Sequence, residues 1–523
     1  MPEQELLDKL VALLGADNVL VDEASCRLYA QDVFTRSLPA GLVIRPYDTA
    51  SLAAAVATIT TAGVAVIARG GGMSYTGGYV PQEEGSVIID TSAMSQVLEV
   101  NAEDMYVTVQ AGCSWKALHD VLKPQGLRTP FWGPLSGIHA TVGGSISQSS
   151  VFWGAGAFGS SSDSVISMDV VLANGSVLST GSAAQRNASP FFRHFGPDLT
   201  GLFTCDTGAL GVKASVTLRL MQEFKSIRHV SWDYENYRDQ VAAISEVARR
   251  GLVAQMFGTD PGLGQIRAKR DSLLNDIKSL GGVLKAQPTV MGAIKQGAKI
   301  ALAGRGVIKN ASYPFHANIE ERSDAAAEAA EAELYAVLAS FGGKKIDNSV
   351  PAILRANPFN PLNNMVGPDG ERWVPVHGLL PHSRVIEAIE GTERIFSKYQ
   401  ADIDRHNIST GFLTTTASTN SFFLEPLWLW PDELNELHEA TVEKEVLSRQ
   451  KGFSANLEAR QAVTSMREEI VQMFSDMGAS HLQIGKEYHY KQGLKSEAYG
   501  TIKAIKDVLD PHNRINPGSL GFQ

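Results

Sequence analysis

Residues 69–81 read RGGGMSYTGGYVP, a segment with five glycines that follows directly on the apolar run GVAVIA. Glycine is tolerated where a backbone must approach a ligand closely, so a glycine-dense loop that leaves a strand predicts main-chain amides held against phosphate. The spacing excludes two kinds of phosphate site. A Walker A loop ends in Lys-Ser/Thr, where this loop has Met73-Ser74, and a nicotinamide Rossmann fingerprint needs glycine at the position of Tyr75.

A second glycine- and hydroxyl-rich segment, HATVGGSISQSSVFWGAGAFG, spans residues 139–159. It contains a formal GxGxxG at 154–159, but a poor strand precedes that match and a poor helix start follows it, so we reject a Rossmann interpretation. Both segments lie beside β-rich runs, and together they could wrap one extended dinucleotide with main-chain amides and Ser hydroxyls. The alternative is that they are only tight turns.

The composition bounds the class of protein. With 523 residues, 44% of them hydrophobic, the chain is long enough for two cores, so we expect two domains. The formal net charge of −10 argues against non-specific nucleic-acid binding. Three widely separated cysteines, Cys26, Cys113 and Cys205, form neither a disulfide framework nor a CxxC metal motif, which favours a reducing compartment.

The N-terminus and the apolar stretches predict a cytoplasmic protein without an integral membrane segment. The initial MPEQELLDKLVALLG lacks the basic start and apolar centre of a signal peptide. The longest weakly charged stretch, residues 50–68, is interrupted by Thr and Gly and is typical of a buried helix followed by a strand. The basic segment 284–310 is predicted to be a solvated helix with one core face, and a membrane or partner surface is the alternative.

Patterns along the chain divide it into three parts. Residues 1–223 alternate short β-rich runs with helices, including a strand–helix–strand unit and a hairpin with an Asn-Gly turn, so this part is α+β. Residues 224–477 mix Ala/Glu-rich helices with β-like runs and with the aromatic run FFLEPLWLWP. Residues 478–523 end in the Pro- and Gly-punctuated loop DPHNRINPGSLGF.

In this order the segments resemble the vanillyl-alcohol oxidase / p-cresol methylhydroxylase (PCMH) superfamily of FAD-linked oxidases. The matching runs are LPAGLVIRPYDTASLAAAVA, the glycine loop, VTVQAG, ATVGGSISQ, GSSSDSVISMDVVLANGSVLSTG, LFTCDTGALGVKASVTLRL and DPHNRINPG. The resemblance implies an α+β fold, in which residues 1–223 and 478–523 form a two-part PCMH-type FAD-binding domain. A substrate-binding cap domain, residues 224–477, would be inserted between them, and the resemblance also favours a homodimer.

The resemblance implies which residues hold FAD. Those expected to bind the pyrophosphate are Arg69, Gly70, Gly71, Gly72, Met73, Ser74, Gly77 and Gly78. Those expected around the flavin and ribityl chain are Thr141, Val142, Gly143, Gly144, Ser147, Gly154, Gly156, Phe158 and Gly159, with Val165 and Val212 on the adenine side and Asn516 near the isoalloxazine. Family members that attach FAD through this loop carry histidine where Met73 stands, so we expect non-covalent FAD. His139 lies near the position of a cysteine in bicovalent members, which leaves a covalent link open.

The reaction that the resemblance implies is hydride transfer from an alcohol or benzylic carbon to flavin N5. The segment GKEYHYKQGL looks like the phenolate-binding element of phenol-oxidising members, with Tyr488 and His489 at the matching positions. Tyr75 and Tyr79, inside the glycine loop, are placed to face a substrate, and His377 is either a catalytic residue or a buried core histidine. The aspartate that phenol oxidases place ahead of the flavin-facing glycines is absent.

We therefore expect an FAD-dependent oxidoreductase that acts on a bulky substrate, with phenolic and lignin-derived compounds included, and returns electrons to O2 or another acceptor. The aromatic run would line the substrate pocket or be plain core. One alternative is a D-2-hydroxy acid dehydrogenase of the lactate/glycolate type. The spacing of His377 and His382 differs from that branch, so we predict no metal. A second alternative is a non-redox flavoenzyme similar to alkylglycerone-phosphate synthase.

Overall fold

The computed structural model of the protein describes residues 2–269 and 312–523. The basic segment 284–310, predicted above to be a helix, lies outside the described residues. Among the described residues, no helix is long and apolar enough to cross a membrane.

The described residues alternate helices and strands along their whole length. The α-helices are α1 (Pro2–Leu14), α2 (Glu23–Tyr29), α3 (Thr49–Thr61), α4 (Trp115–Leu122), α5 (Val142–Gln148), α6 (Ala155–Phe158), α7 (Leu199–Leu202), α8 (Tyr237–Arg250), α9 (Pro261–Lys269), α10 (Asp324–Ser340), α11 (Ser349–Ala356), α12 (Val385–Lys398), α13 (Gln400–His406), α14 (Glu436–Thr441), α15 (Lys444–Leu447), α16 (Leu457–Asp476), α17 (Tyr490–Gly493) and α18 (Ser496–Leu509). The strands are β1 (Val19–Leu20), β2 (Leu42–Ile44), β3 (Val66–Arg69), β4 (Val87–Asp90), β5 (Val97–Asn101), β6 (Tyr106–Gln110), β7 (Leu127–Arg128), β8 (Val165–Val171), β9 (Val177–Ser179), β10 (Val212–Arg219), β11 (Met221–Gln222), β12 (Ser226–Tyr234), β13 (Gln255–Thr259), β14 (Tyr313–Glu321), β15 (Lys344–Lys345), β16 (Arg372–Pro375), β17 (Gly378–Leu380), β18 (Ser409–Ala417) and β19 (Ser421–Trp430).

The first sheet contains the predicted strand–helix–strand unit, which is confirmed. Its strand order is β1-β2-β4-β3, and β2 and β3 both run parallel to β4. Helix α3 begins at Asp48, whose side chain accepts a hydrogen bond from the main-chain N–H of Ser51. Its apolar face, which includes Leu52, Val56 and Ile59, is buried with the strands in one hydrophobic core. The glycine loop follows directly on β3, so this sheet positions the start of the loop.

The second sheet has the order β5-β6-β10-β8-β9 and is antiparallel throughout. The predicted hairpin is β8–β9, and its turn is Asn174-Gly175, where Gly175 has a φ of 80°. A left-handed residue at this position suits an Asn-Gly turn. The prediction of this hairpin is confirmed.

The third sheet belongs to the region between 226 and 430. Its order is β15-β12-β14-β13-β18-β19-β16, and β17 also pairs with β19. The aromatic run forms β19, in which Phe422, Trp428 and Trp430 are fully buried. Three of its aromatic side chains are therefore core, whereas Phe423 lines the cavity described below. Helices α12 and α16 pack together and each also contacts β19.

The C-terminal segment returns to the first sheet. Ile515 forms a parallel bridge with Val66 of β3, and the main-chain N–H of Asn516 donates to the carbonyl of Val66 at 2.9 Å. Both ends of the chain thus contribute to one domain, and the sheet of residues 226–430 lies between them in sequence. The fold is α+β with an inserted second domain, as predicted. The boundaries at 223/224 and 477/478 stay a prediction.

Candidate active site

The glycine loop after β3 is pressed against neighbouring backbone. A Cβ at Gly70 would overlap the hydroxyl of Thr141, and one at Gly71 would overlap the carbonyl oxygen of His139. Gly72 has a φ of +72°, a left-handed conformation that L side chains rarely adopt. The loop therefore needs its glycines, because they bring its main chain against the second glycine-rich segment.

Buried polar side chains support this loop through hydrogen bonds and contacts with aromatic rings. The guanidinium carbon of Arg69 lies 4.6 Å from the ring centre of Tyr29 and 5.6 Å from that of Tyr79. Asp32 accepts hydrogen bonds from three main-chain N–H groups, including that of Gly77 at 2.6 Å. Burial raises the pKa of Asp32 to about 6. Arg69 and Gly77 thus support the loop from outside the cavity lining, and their binding to pyrophosphate stays a prediction.

The second segment begins at Thr141 and continues into helix α5. The Thr141 hydroxyl accepts a hydrogen bond from the Gly144 N–H at 3.2 Å and so starts the helix. The N–H of Gly143 donates to the carbonyl of Ala111 at 2.8 Å, and there is no room for a Cβ at Gly143 against Ala111. Two tight backbone turns therefore pack against each other.

One cavity of about 370 Å³ lies beside both segments and extends from the glycine loop to the third sheet. The predicted residues that line it are Gly70, Gly71, Gly72, Met73, Ser74, Tyr75, Gly78, Tyr79, Thr141, Gly143, Gly144 and Ser147. The predicted residues outside its lining are Arg69, Gly77, His139, Val142, Gly154, Gly156, Phe158, Gly159, Val165, Val212, Asn516, His377, Tyr488 and His489. The structure brings the two glycine segments together, as the sequence predicts, but not every residue attributed to them.

The glycine-lined end fits a dinucleotide. It is lined by glycine backbone and by the hydroxyls of Ser74, Ser145 and Ser147. The side-chain oxygen of Gln148, also in the lining, is buried and has no hydrogen-bond partner among the described residues. Such an unpartnered buried acceptor suits a ligand donor group. We conclude that these residues would hold FAD.

Asn516 and His139 lie outside the cavity lining, and their roles beside the flavin stay predictions. The Asn516 side chain donates to the carbonyls of Gly78 and Thr207, both at 2.8 Å, and accepts from Lys486 Nζ at 3.1 Å. It therefore ties the C-terminal segment to the glycine loop. His139 is exposed, and it contributes its carbonyl to the packing at Gly71.

At the other end of the cavity the lining is apolar. Leu263 and Ile266 of α9 and Leu427 and Leu429 of β19 form a small buried cluster, with Trp373 packed against it. These side chains come from the third sheet and from the helix that crosses it. This end is suited to a hydrophobic substrate body.

One polar group interrupts the apolar end. Tyr75 donates a hydrogen bond to Glu425 Oε2 at 3.1 Å, and its hydroxyl accepts one from Gln483 Nε2 at 3.1 Å. Burial, followed by the charge of Glu425, raises the pKa of Tyr75. Tyr75 was predicted from the sequence, whereas Glu425 and Gln483 were missed. The signal for Glu425 was available, since it is the carboxylate within the apolar run SFFLEPLWLW.

Tyr488 and His377 contact each other behind the cavity wall. The Tyr488 hydroxyl accepts from the main-chain N–H of His377 at 2.8 Å and lies 3.2 Å from its Nδ1, while His377 Nε2 faces the Leu482 carbonyl at 2.7 Å. The ring of His481 stacks on Tyr488 at 3.9 Å. Burial lowers the pKa of His377 to about 3 and that of His481 to about 4. Within the described part of the chain, no group of His, Cys, Asp and Glu is arranged to hold a metal ion.

Two glycine segments and a mixed cavity between two domains define a flavoprotein with a separate substrate end. A protein-family profile described as an FAD binding domain matches residues 40–181. The fold matches a crystal structure of p-cresol methylhydroxylase with substrate bound, with a TM-score of 0.75 and 17% identity over 100% of this chain and 97% of that chain. The chain therefore carries an FAD-binding domain at residues 40–181 and shares the overall fold of p-cresol methylhydroxylase, and these matches support an FAD-dependent oxidoreductase.

Two curated relatives are similar in sequence. The glycolate oxidase subunit GlcD of Bacillus subtilis is 22% identical over 99% of this chain and 97% of its own length. The D-lactate dehydrogenase of Archaeoglobus fulgidus is 30% identical over 40% of this chain and 45% of its own length.

Proposed function

We propose that this protein oxidises an alcohol or benzylic carbon of a bulky, uncharged substrate, such as a phenolic or lignin-derived compound. The observation that carries the proposal is the substrate end of the cavity, where an apolar wall surrounds one carboxylate, Glu425. O2 or another carrier would accept the electrons. The homodimer and the cytoplasmic location stay predictions.

The apolar character of this end favours a bulky substrate. Leucine and isoleucine side chains from α9 and β19 and the edge of Trp373 would surround an apolar body and exclude water from it. Trp373 lies edge-on to Tyr75 with 5.6 Å between ring centres, so an aromatic ring would find further aromatic neighbours here.

The chain's polar groups at this end can bind a hydroxyl and take its proton. Bound FAD supplies the hydride acceptor. Glu425 can accept the hydroxyl proton of the substrate as a general base, because a carboxylate on the cavity wall is within reach of a bound alcohol. Tyr75 and Gln483 position Glu425 through the chain of hydrogen bonds described above. Roles in catalysis for Tyr488, His489 and His377 stay predictions.

A D-2-hydroxy acid is the second candidate substrate, and the similarity to GlcD over nearly the whole chain supports it. The charges at the cavity favour the first candidate. A hydroxy acid carries a carboxylate, which would need a cation and would be repelled by Glu425. Among the described lining residues the cation is Lys213, in the FAD-binding domain.

Anaerobic reduction of the bound flavin distinguishes the two. The purified holoprotein is mixed without oxygen with 4-hydroxybenzyl alcohol, cinnamyl alcohol, D-lactate or glycolate, and bleaching of the flavin absorbance is followed. The proposal predicts bleaching by the uncharged alcohols and none by the hydroxy acids. Bleaching by the hydroxy acids alone would show that the second candidate is correct, and bleaching by neither class contradicts both.

A further inference from the structure

A buried ion pair lies at the wall of the dinucleotide end of the cavity. Lys213, on strand β10, is 4% exposed and its Nζ donates a hydrogen bond to Asp206 Oδ1, whose side chain is 2% exposed. Lys213 is also one of the residues that line the cavity. A buried ion pair is costly to desolvate and is weak evidence for stability alone, so its place beside a ligand cavity calls for another explanation.

Lys213 differs in charge from the other described residues that line the cavity. Among the described residues of the lining, the charged ones are Lys213 and Glu425. Glu425 is in the third sheet and is hydrogen-bonded to Tyr75. Arg69, which the sequence suggested for the pyrophosphate, lies between two tyrosine rings outside the lining. Lys213 is therefore the described cation that faces the space for a dinucleotide.

A cation would stabilise bound FAD. Its diphosphate is negatively charged at neutral pH, and the glycine loops would bind it through neutral main-chain donors. A buried lysine on the cavity wall would add an opposite charge, which acts more strongly in a cavity of low dielectric than in water.

The hydrogen bond from Lys213 does not use the full hydrogen-bonding capacity of the Asp206 carboxylate. Its Oδ1 accepts both the Lys213 Nζ and the main-chain N–H of Gly208, the latter at 3.0 Å, while Oδ2 is buried without a partner among the described residues. The residues on either side, Cys205 and Thr207, have φ values of 53° and 54°, which are uncommon for side chains of this kind. Strained backbone around a half-satisfied carboxylate is typical of a ligand site.

We propose that Lys213 is the residue that binds the diphosphate of FAD through its charge, and that Asp206 is a positioning residue that holds the Lys213 side chain at the cavity wall. The assignment is independent of the substrate. It adds a charged contact to a site otherwise built from glycine backbone and hydroxyl groups.

The test measures FAD affinity in apoprotein variants by the loss of free FAD fluorescence. Lys213→Met removes the cation, and affinity should fall about tenfold to a hundredfold, as for a lost hydrogen bond to a charged group. Since this variant leaves the Asp206 carboxylate buried and unpaired, it also loses stability. The double variant Asp206→Asn with Lys213→Met removes both charges, so its apoprotein should regain thermal stability while its FAD affinity stays low.

The single variant Asp206→Asn provides a second, opposite expectation. It leaves Lys213 charged and removes a carboxylate near the diphosphate, so its apoprotein should lose stability and FAD should restore more stability to it than to the wild type. Lys503→Met, on the exposed face of α18, is the control and should bind FAD as the wild type does. Wild-type FAD affinity in the double variant, or a weaker rescue by FAD in Asp206→Asn, would show that the pair is only structural.

Discussion

Glu425 is the residue on which the proposed chemistry depends most directly. Replacing it with Gln preserves the shape and the hydrogen bond from Tyr75 but removes the basic oxygen. We expect the rate of anaerobic flavin reduction to fall about 10²- to 10⁴-fold, the usual contribution of a general base. The apparent affinity for an uncharged alcohol should change little, because the apolar wall is intact. Stopped-flow measurement across substrate concentrations separates the two quantities.

The control for this variant is Glu439→Gln, which changes an exposed carboxylate on helix α14. It should reduce its flavin at the wild-type rate. An unchanged reduction rate in Glu425→Gln would contradict the role of the base. A raised affinity for D-lactate in Glu425→Gln would instead support the idea that this carboxylate repels hydroxy acids.

The candidate site was predictable only in part from sequence, and the residues show why. Tyr75 was identified from the sequence because it lies inside the glycine loop, and the residues of that loop are neighbours in the chain. Glu425 and Gln483 were missed because each is 350 or more residues from Tyr75, and only the fold brings them within 3.1 Å. Tyr488 was identified from the resemblance of its segment to a phenolate-binding element and His377 from its residue type. Their contacts with each other depend on burial that no local pattern shows.

His377 gives a pH-dependent prediction for stability. Burial first and the neighbouring His481 second lower its pKa from 6.5 to about 3, against the effect of the Leu482 carbonyl. Between those values the unfolded chain binds more protons than the folded one, so the free energy of unfolding falls as the pH falls. One such group contributes about 1.4 kcal/mol for each pH unit in that window. Above pH 6.5 its contribution is constant.

Urea unfolding at pH 7 and pH 5 measures this effect. His377→Gln keeps a donor and an acceptor but cannot be protonated, so its loss of stability between the two pH values should be smaller by about 2 kcal/mol. His512→Gln, an exposed histidine, is the control and should follow the wild type. Equal losses in His377→Gln and in the wild type would show that His377 is not the group that titrates.

Among the structural elements, the glycine loop is the one whose backbone geometry requires glycine at particular positions. A Cβ at Gly71 would overlap the His139 carbonyl, and neither backbone can move freely because both segments are anchored in sheets or helices. Gly71→Ala should therefore cost about 1–3 kcal/mol at the loop. Expressed in FAD binding, this is about a tenfold loss of affinity or more. The ratio of flavin to protein absorbance after dialysis measures it.

The matched control is Gly500→Ala, in the exposed middle of helix α18, where a Cβ would meet nothing within 4 Å. Since alanine favours a helix interior over glycine, this variant should retain all its FAD and gain about 0.5–1 kcal/mol of stability. Full flavin content in Gly71→Ala would mean that the loop tolerates displacement and that its glycines serve another purpose.

Elements were predicted best where their signals are local. The Asn-Gly turn and the β-branched runs are each contained within a few residues, and the hairpin β8–β9 follows from them. The third sheet was not predicted as a sheet, because β12 pairs with β14 across a sequence separation of about 90 residues and β13 pairs with β18 across more. Such pairings depend on which apolar faces meet in the folded chain.

Across the whole molecule, buried ion pairs between charged side chains connect the two domains. Arg128 of β7 donates to both carboxylate oxygens of Glu320 on β14, at 3.0 and 2.6 Å, and Arg355 of α11 donates to the same carboxylate at 3.0 Å. Arg355 also bonds to Glu223, next to β11. The group spans the predicted boundary at 223/224, so it fixes the third sheet against the FAD-binding domain. That position determines the shape of the substrate end.

Glu320 is the carboxylate that both arginines of this junction share. Burial alone would raise the pKa of Glu320, but the charges of Arg128 and Arg355 outweigh burial, and the pKa lies below its usual 4.5. Glu320→Gln leaves two buried guanidinium groups without their counter-charge, which should cost about 3–5 kcal/mol of stability. Because the lost contact joins the domains, calorimetry should resolve two unfolding transitions where the wild type shows one, with the flavin released in one of them. Glu328→Gln, exposed on α10, should unfold as the wild type does. A single transition at the wild-type temperature in Glu320→Gln would mean that hydrophobic packing alone holds the two domains together.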